Sequence, residues 1–138
     1  MIVVIDASTL VSAALKTNSV PERALLRALD EGNRLILSQA VEDEYRDAVL
    51  RPKFDRYAPI VNRQRLLDIV VFAAERIEPR ELVRECRDPS DDKYLALAHA
   101  GGADVIVSSD DDLLVLHPWR GISILSPSDF LTATDAII

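Results

Sequence analysis

Carboxylates carry most of the chemistry this sequence could perform, and they are not scattered. Asp6 ends the run "MIVVID", Glu44 lies in "SQAVEDEYRDAVLR", Asp88, Asp91 and Asp92 crowd into "RDPSDDKYLALAHA", and Asp110 closes "DVIVSSD". Acids brought to one place repel, and their pKa values rise unless a cation neutralises them. Carboxylate oxygens in a chain with only 2 histidines favour Mg²⁺ or Mn²⁺ over Zn²⁺. One or two such ions can activate water and stabilise the leaving oxygen in phosphodiester hydrolysis.

The elements that would have to gather these acids are readable from apolar periodicity. Ile2 to Ile5, Leu35 to Leu37 and Val105 to Val107 are short β-branched or Leu-rich runs without polar alternation, as in strands of a parallel sheet covered on both faces. "GISIL" (121 to 125) is a fourth such run, and "ERIEP" (75 to 79) supplies a short extra strand. Helical stretches lie between them. "VPERALLRALDEG" opens on Pro21 and stops at Gly32, and "SQAVEDEYRDAVLR" has Ser38 as N-cap. Residues 60 to 74 are apolar on nearly every face, the stretch after Asp88 ends at Gly101 and Gly102, and "SPSDFL" starts a last helix with Ser126 as cap. Strand and helix alternate, which gives a three-layer α/β/α sandwich with a mostly parallel sheet, organised as one domain over residues 1 to 138. "RPKFDRYAP" (51 to 59) reads as the flexible loop.

In such a sheet, ligands bind beyond the carboxyl ends of the strands. Asp6 and Asp110 each follow a strand directly, so both point to that edge, although each could also simply cap the next helix. Around residue 88, Asp88 serves as N-cap, Pro89 takes the first helical position, and Asp91 caps back from the third. Asp92 has no capping role left, and it lies three and four residues before Leu95 and Ala96, beside the sheet-facing side. Glu44 borders the buried stripe of its helix but shares it with Glu42, Asp43 and Asp47, so its case depends on the other acids.

Composition narrows the classes further. With 16 Lys and Arg against 23 Asp and Glu, the net charge is -7, which excludes nucleic-acid binding by bulk charge and requires a local basic patch or metal ions. Cys86 is the only cysteine, so there is no internal disulfide and no thiolate zinc site, in keeping with a reducing cytoplasm. The start, "MIVVIDAS", reaches an acid after five apolar residues and reads as neither signal peptide nor membrane span. The four glycines form no phosphate loop or dinucleotide fingerprint, and no G-x-S-x-G elbow occurs. His99 and His117 read as structural or surface residues, and Trp119 as a partly buried anchor. Phosphoryl transfer through Asp6 would want a second Asp at position 8, where Ser8 stands.

Four motifs in order, "VVIDASTLVSA", "SQAVEDEYRDAVLRPKF", "RDPSDDKYLALAHAGGADVIVSSDDDLL" and "ISILSPSDFL", span nearly the whole chain. Together they resemble the PIN-domain ribonucleases, particularly bacterial VapC-like toxins of toxin–antitoxin pairs. The resemblance implies five parallel strands and an acidic pocket on Asp6, Glu44, Asp92 and Asp110. There one or two Mg²⁺ or Mn²⁺ ions would support cleavage of single-stranded or loop RNA, leaving 5'-phosphate and 3'-hydroxyl ends. Ser8 and Ser108 match small hydroxyl positions that support the acids, Asp112 matches a variable acid outside the ligand set, and Ala7 stands where many relatives have Thr. A catalytically weak or inactive PIN-fold module binding RNA or protein is the alternative; it predicts loss of a pocket acid, and all four are present.

Arg46, Arg51, Lys53 and Arg56 form the densest basic cluster and could steer an RNA backbone, or equally could be a solvated helix end and loop. The apolar helix 60 to 74 fits either core or a homodimer seam. A toxin would also have a small antitoxin as partner, with no membrane involved.

Overall fold

The β-branched runs pair side by side in parallel, because each is apolar on both faces and needs cover on both. Ile2–Ile5 (β1), Arg34–Leu37 (β2), Glu75–Arg76 (β3), Val105–Val107 (β4) and Ser123–Leu125 (β5) form one five-stranded sheet in the order β3-β2-β1-β4-β5. All four pairings are parallel. The computed structural model describes residues 1–135, so the last three positions of the expected 1 to 138 domain lie outside it. Val3, Val4, Val105, Ile106 and Val107 are fully buried at the centre of the sheet.

Helices Ala7–Leu15 (α1), Val20–Leu29 (α2), Gln39–Val49 (α3), Ile60–Ala73 (α4), Asp92–Ala100 (α5), Asp111–Leu114 (α6) and Pro127–Asp135 (α7) complete the three-layer α/β/α sandwich. Their starts are chemically marked. Asp6, Ser19, Ser38 and Asp110 each accept a hydrogen bond from a first-turn amide, and Ser126 does so from Asp129 N at 3.1 Å. α2 packs on both α1 and α7, and α1 also packs on α3, while α5 packs across β1, β2 and β4. At its C-terminus Gly102 has φ +62, the left-handed cap that glycine adopts without strain. A Cβ on Gly101 would collide with Ile36, so that chain reversal sits directly against β2.

The chain steps from β1 to β2 to β3 in one direction, then crosses to place β4 and β5 on the other side of β1. The switch therefore falls between β1 and β4, and the register there pairs Ile5 with Val107. The residues that follow, Asp6 and Ser108, emerge together at the carboxyl edge, where Asp6 N donates to Val107 O at 3.1 Å.

In the middle of the chain, core is not the whole account of α4, and the 51 to 59 stretch is not a free loop. Helix α4 is neither simple core nor uniformly buried: its buried members are Arg63, Leu67 and Val70, while Ile60, Val61 and Ile69 are about half exposed or more and Phe72 is 93% exposed. The buried position goes to Arg63 because its guanidinium has acceptors waiting. It donates to Val49 O at 2.7 Å, Ala58 O at 3.0 Å and Arg51 O at 3.3 Å, and it also pairs with Asp55. The 51 to 59 stretch is accordingly no free loop. It contains a 3₁₀ turn, Pro52–Phe54, and Arg63 ties its carbonyls to α4.

Candidate metal centre

Asp6 is the deepest acid of the site, 3% exposed at the end of the central strand. One carboxylate oxygen accepts from Thr9 N at 2.9 Å, and the other accepts from Ser8 Oγ at 2.9 Å and from the Ser108 hydroxyl. Burial pushes its pKa up, against the hydrogen bonds from Ser108, Thr9 and Ser8 that favour the ionised form. Ser108 also accepts from Asp110 N at 2.9 Å, so one hydroxyl couples the acid after β1 to the acid after β4. Asp110 in turn caps α6, accepting from Asp112 N at 2.9 Å. Ser8 and Ser108 thus both donate to the same oxygen of Asp6.

Around Asp110, carboxylate oxygens of Asp88, Asp91, Asp110 and Asp112 all lie within 4.8 Å of one another. Asp91 is the buried member, 7% exposed, and its Oδ2 is buried without a hydrogen-bond partner. Its pKa is pushed up to about 8, first by burial, then by the Asp110 carboxyl alongside it, with Asp88 and Asp6 adding to the repulsion. This carboxyl group is therefore held out of water beside other acids, where it keeps its proton up to about pH 8 unless a cation replaces it. Asp112, placed by the sequence outside the ligand set, belongs to this group and also pairs with Arg87 at 2.9 Å.

Asp92 is not in the group, which corrects the expectation that it faces the site while Asp91 caps. Its Oδ1 accepts from Cys86 N at 2.8 Å and Glu85 N at 3.1 Å, so it holds the preceding segment against the helix. Asp91 makes no capping bond. The cause is local geometry: Pro89–Asp91 forms a 3₁₀ turn, and α5 begins only at Asp92. Each 3₁₀ residue advances the chain by about 120° rather than about 100°, which changes the face an α-helical count from Asp88 would assign. The buried stripe then runs Asp91, Tyr94, Leu95, Ala98, at spacings of three, four and seven. That stripe was the signal available in the sequence for Asp91, taken together with Tyr94. Asp88 does cap as expected, accepting from Ser90 N at 3.0 Å, and it adds an oxygen to the acid group as well.

Glu44 stands apart from the four aspartates, yet it is tied to the same edge. Tyr94, whose phenol is held protonated chiefly by burial, accepts from Ala7 N at 3.0 Å and donates to Glu44. Lys93 pairs with the other Glu44 oxygen. Tyr45, on the same helix as Glu44, donates to Ile5 O at 2.5 Å, so the end of β1 is fastened from both α3 and α5.

The expected basic cluster is largely engaged. Arg46 pairs with Glu42 at 3.1 Å and Arg51 with Asp47 at 2.9 Å, while Lys53 and Arg56 lie over the rings of Phe54 and Tyr57. Glu42, rather than Glu44, is the buried acid of α3, clasped by Arg46 and Arg76. His117 Nδ1 accepts from Ile124 N at 2.8 Å, His99 pairs with Glu81 at 3.2 Å, and Trp119 is buried, so these three serve structure as expected.

A switch point lined by aspartates at the carboxyl edge of a parallel sheet defines a class of α/β protein built to gather acids. A family model described as "PIN domain" matches residues 2–112. The chain belongs to the PIN-domain family. An uncharacterized protein of Methanocaldococcus jannaschii, MJ1680, is 30% identical over 117 residues, covering 83% of this chain and 74% of that protein. Among solved structures, PAE2754 from Pyrobaculum aerophilum superposes with a TM-score of 0.66 at 18% identity, covering 96% of this chain and 89% of that one. VapBC2 from Rickettsia felis, bound to a DNA fragment from its promoter, gives 0.59 at 17% identity, covering 90% and 97%. Both share the fold. No helix among the described residues is long and apolar enough to cross a membrane.

Proposed function

We propose that this chain is a divalent-metal-dependent endoribonuclease, and that Asp6, Asp91 and Asp110 are the core of its metal site, with Asp88, Asp112 and Glu44 at the perimeter. The observation that carries this reading is Asp91: a buried carboxylate oxygen without a partner, set among three other aspartates whose oxygens lie within 4.8 Å. Leaving a buried polar atom unpaired is costly, and hard carboxylate oxygens are the donor set Mg²⁺ and Mn²⁺ prefer, so residues and ion fit. One or two bound ions would supply Lewis acidity and a nucleophilic water for phosphodiester hydrolysis.

The chain's own residues do the rest. Ser108 fixes Asp6 and Asp110 relative to one another, Thr9 N and Ser8 hold the Asp6 carboxylate in one orientation, and the Tyr94 hydroxyl orients Glu44. Fixed oxygens need no rearrangement when an ion arrives. Arg46, Arg51, Lys53 and Arg56 are proposed as an outer steering surface for RNA. The structural likeness to VapBC2 supports a toxin role in the cytoplasm with a small antitoxin as partner. The exposed apolar face of α4 supports self-association through that helix.

The test incubates structured RNAs with wild type, Asp91→Asn and Asp110→Asn, in Mg²⁺, in Mn²⁺ and in chelator, and measures Mn²⁺ binding in parallel. Metal-dependent cleavage by wild type alone, with weakened Mn²⁺ binding in both variants, is the expected result. Cleavage that persists in chelator and in both variants would end the reading. Mn²⁺ binding without cleavage of any RNA would identify an inactive PIN-fold binding module instead.

A further inference from the structure

The acid site carries two resident cations. Lys93 pairs with Glu44 on one side, and Arg87 pairs with Asp112 at 2.9 Å on the other. They come from consecutive parts of the chain: Arg87 precedes the 3₁₀ turn that places Asp91, and Lys93 lies in the first turn of α5. Neither is sealed in, with side chains 60% and 25% exposed respectively. The Lys93 stem also borders a groove of about 490 Å³ between α5 and residues 81 to 86, lined by Arg84, Cys86 and Pro89 among others.

We propose that Lys93 and Arg87 are the residues that hold the RNA backbone at the site, resting on Glu44 and Asp112 until metal neutralises the acids and phosphate arrives. The inference rests on the metal-dependent reading above and assigns it a substrate grip.

Three observations favour these two over the cluster read from sequence. First, the chain's net charge of -7 repels a polyanion, so the grip has to be local. Second, Arg46 and Arg51 are committed to Glu42 and Asp47. Neither of those acids is in the metal-site group, so filling that site would not free these arginines. Third, the partner of Arg87, Asp112, belongs to the acid group itself, and Glu44, the partner of Lys93, is tied to the same edge through Tyr94, whereas Glu42 and Asp47 are not. Partly exposed ion pairs exchange partners cheaply, and a cation whose carboxylate has been neutralised is free to meet a phosphate oxygen. Arginine suits the bidentate contact and lysine the point-charge contact. The groove beside Lys93 leaves room for the flanking nucleotide.

The test separates metal from RNA. Mn²⁺ binding is measured by calorimetry, and binding of a single-stranded RNA oligonucleotide is measured in Ca²⁺ over a range of salt, for wild type, Lys93→Gln, Arg87→Gln and the double variant. The expected result is unchanged or tighter Mn²⁺ binding in every variant. RNA affinity should fall roughly tenfold per residue, and the salt dependence should flatten by about one unit of slope for each charge removed. Lys93→Arg should restore RNA binding, which a loss through misfolding would not allow. Unchanged RNA affinity and slope in the double variant would overturn the proposal, and so would loss of Mn²⁺ binding, because the cations would then be supports of the acids alone. A wild-type chain that binds neither Mn²⁺ nor RNA would end both readings. A wild type that binds both, with an unaltered double variant, would end only this one.

Discussion

Arg63 and Asp91 are both ionisable, both buried and both on helical faces that the hydrophobic pattern would give to core, yet they are treated oppositely. Arg63 is 1% exposed and donates to three backbone carbonyls besides pairing with Asp55. Asp91 is 7% exposed and keeps one oxygen with no partner. A satisfied buried charge is structure: it fixes a loop onto a helix, and each of its three nitrogens has an acceptor. An unsatisfied one is a standing cost of folding, and beside three other aspartates it marks where a cation would fit. The contrast separates fold from function without reference to any relative.

The sharpest way to break that contrast is to remove each charge and ask what is lost. Asp91→Asn keeps the shape and removes the negative charge, and so does Asp110→Asn. Each should lower RNA cleavage by on the order of a hundred- to a thousandfold while leaving the fold intact, read as cleavage rate beside thermal unfolding. Asp91→Asn should even raise the melting temperature in chelator, since the buried repulsion goes with the charge. A variant that cleaved at the wild-type rate would place Asp91 with Arg63 as structure.

The mirror experiment is Arg63→Met. It fills much of the same volume, but it leaves the carbonyls of Val49, Arg51 and Ala58 without their donor. The expected cost is about 3 kcal/mol of stability, from buried acceptors left unmade, measured by denaturant unfolding. The salt bridge to Asp55 contributes little of this, because that side chain is 57% exposed. Mn²⁺ binding should be unchanged once the variant is folded.

How much of this the sequence could reveal follows from the range of the interactions. The strands were legible because a parallel strand declares itself within four or five residues, and the helix starts because Ser38, Ser126 and Asp88 act on amides two or three residues away. Asp6 and Asp110 were legible because strand ends fix where they emerge. Arg63 was not, since its acceptors lie 5, 12 and 14 residues earlier on a loop whose path the helix pattern does not encode. The apolar pattern of α4 left core and seam open for the same reason: once Arg63 takes the inward position, Phe72 is turned outward. Asp91 and Asp92 were exchanged by a single turn of 3₁₀ helix, too short to leave a periodic trace. Asp112 was underrated because α6 is one capped turn that curls it back beside Asp110.

The exchange of Asp91 for Asp92 can be tested at the next level of effect. Asp92→Ala removes an acceptor from Glu85 N and Cys86 N and should cost about 1 to 2 kcal/mol, seen in unfolding. Cleavage and Mn²⁺ affinity should stay within a few-fold of wild type. A loss of metal binding as large as that of Asp91→Asn would restore Asp92 to the site.

The smallest effect is a slope with pH, and it tests whether Asp91 is as frustrated as its geometry implies. Its folded pKa, about 8, lies above the ordinary carboxylate value of the unfolded chain, so the folded state binds the proton more tightly. The stability this contributes is complete below the unfolded pKa and is lost as pH rises through the folded one. Asp6, also raised by burial, acts in the same direction. In chelator, the melting temperature of wild type should therefore decline between about pH 4 and about pH 8. Asp91→Asn should flatten the decline, leaving the part due to Asp6. Mn²⁺ should flatten it in wild type but not further in the variant, since an ion and a proton compete for the same oxygen. A wild-type profile that is level in chelator would show that Asp91 has found a partner after all, and the contrast with Arg63 would disappear.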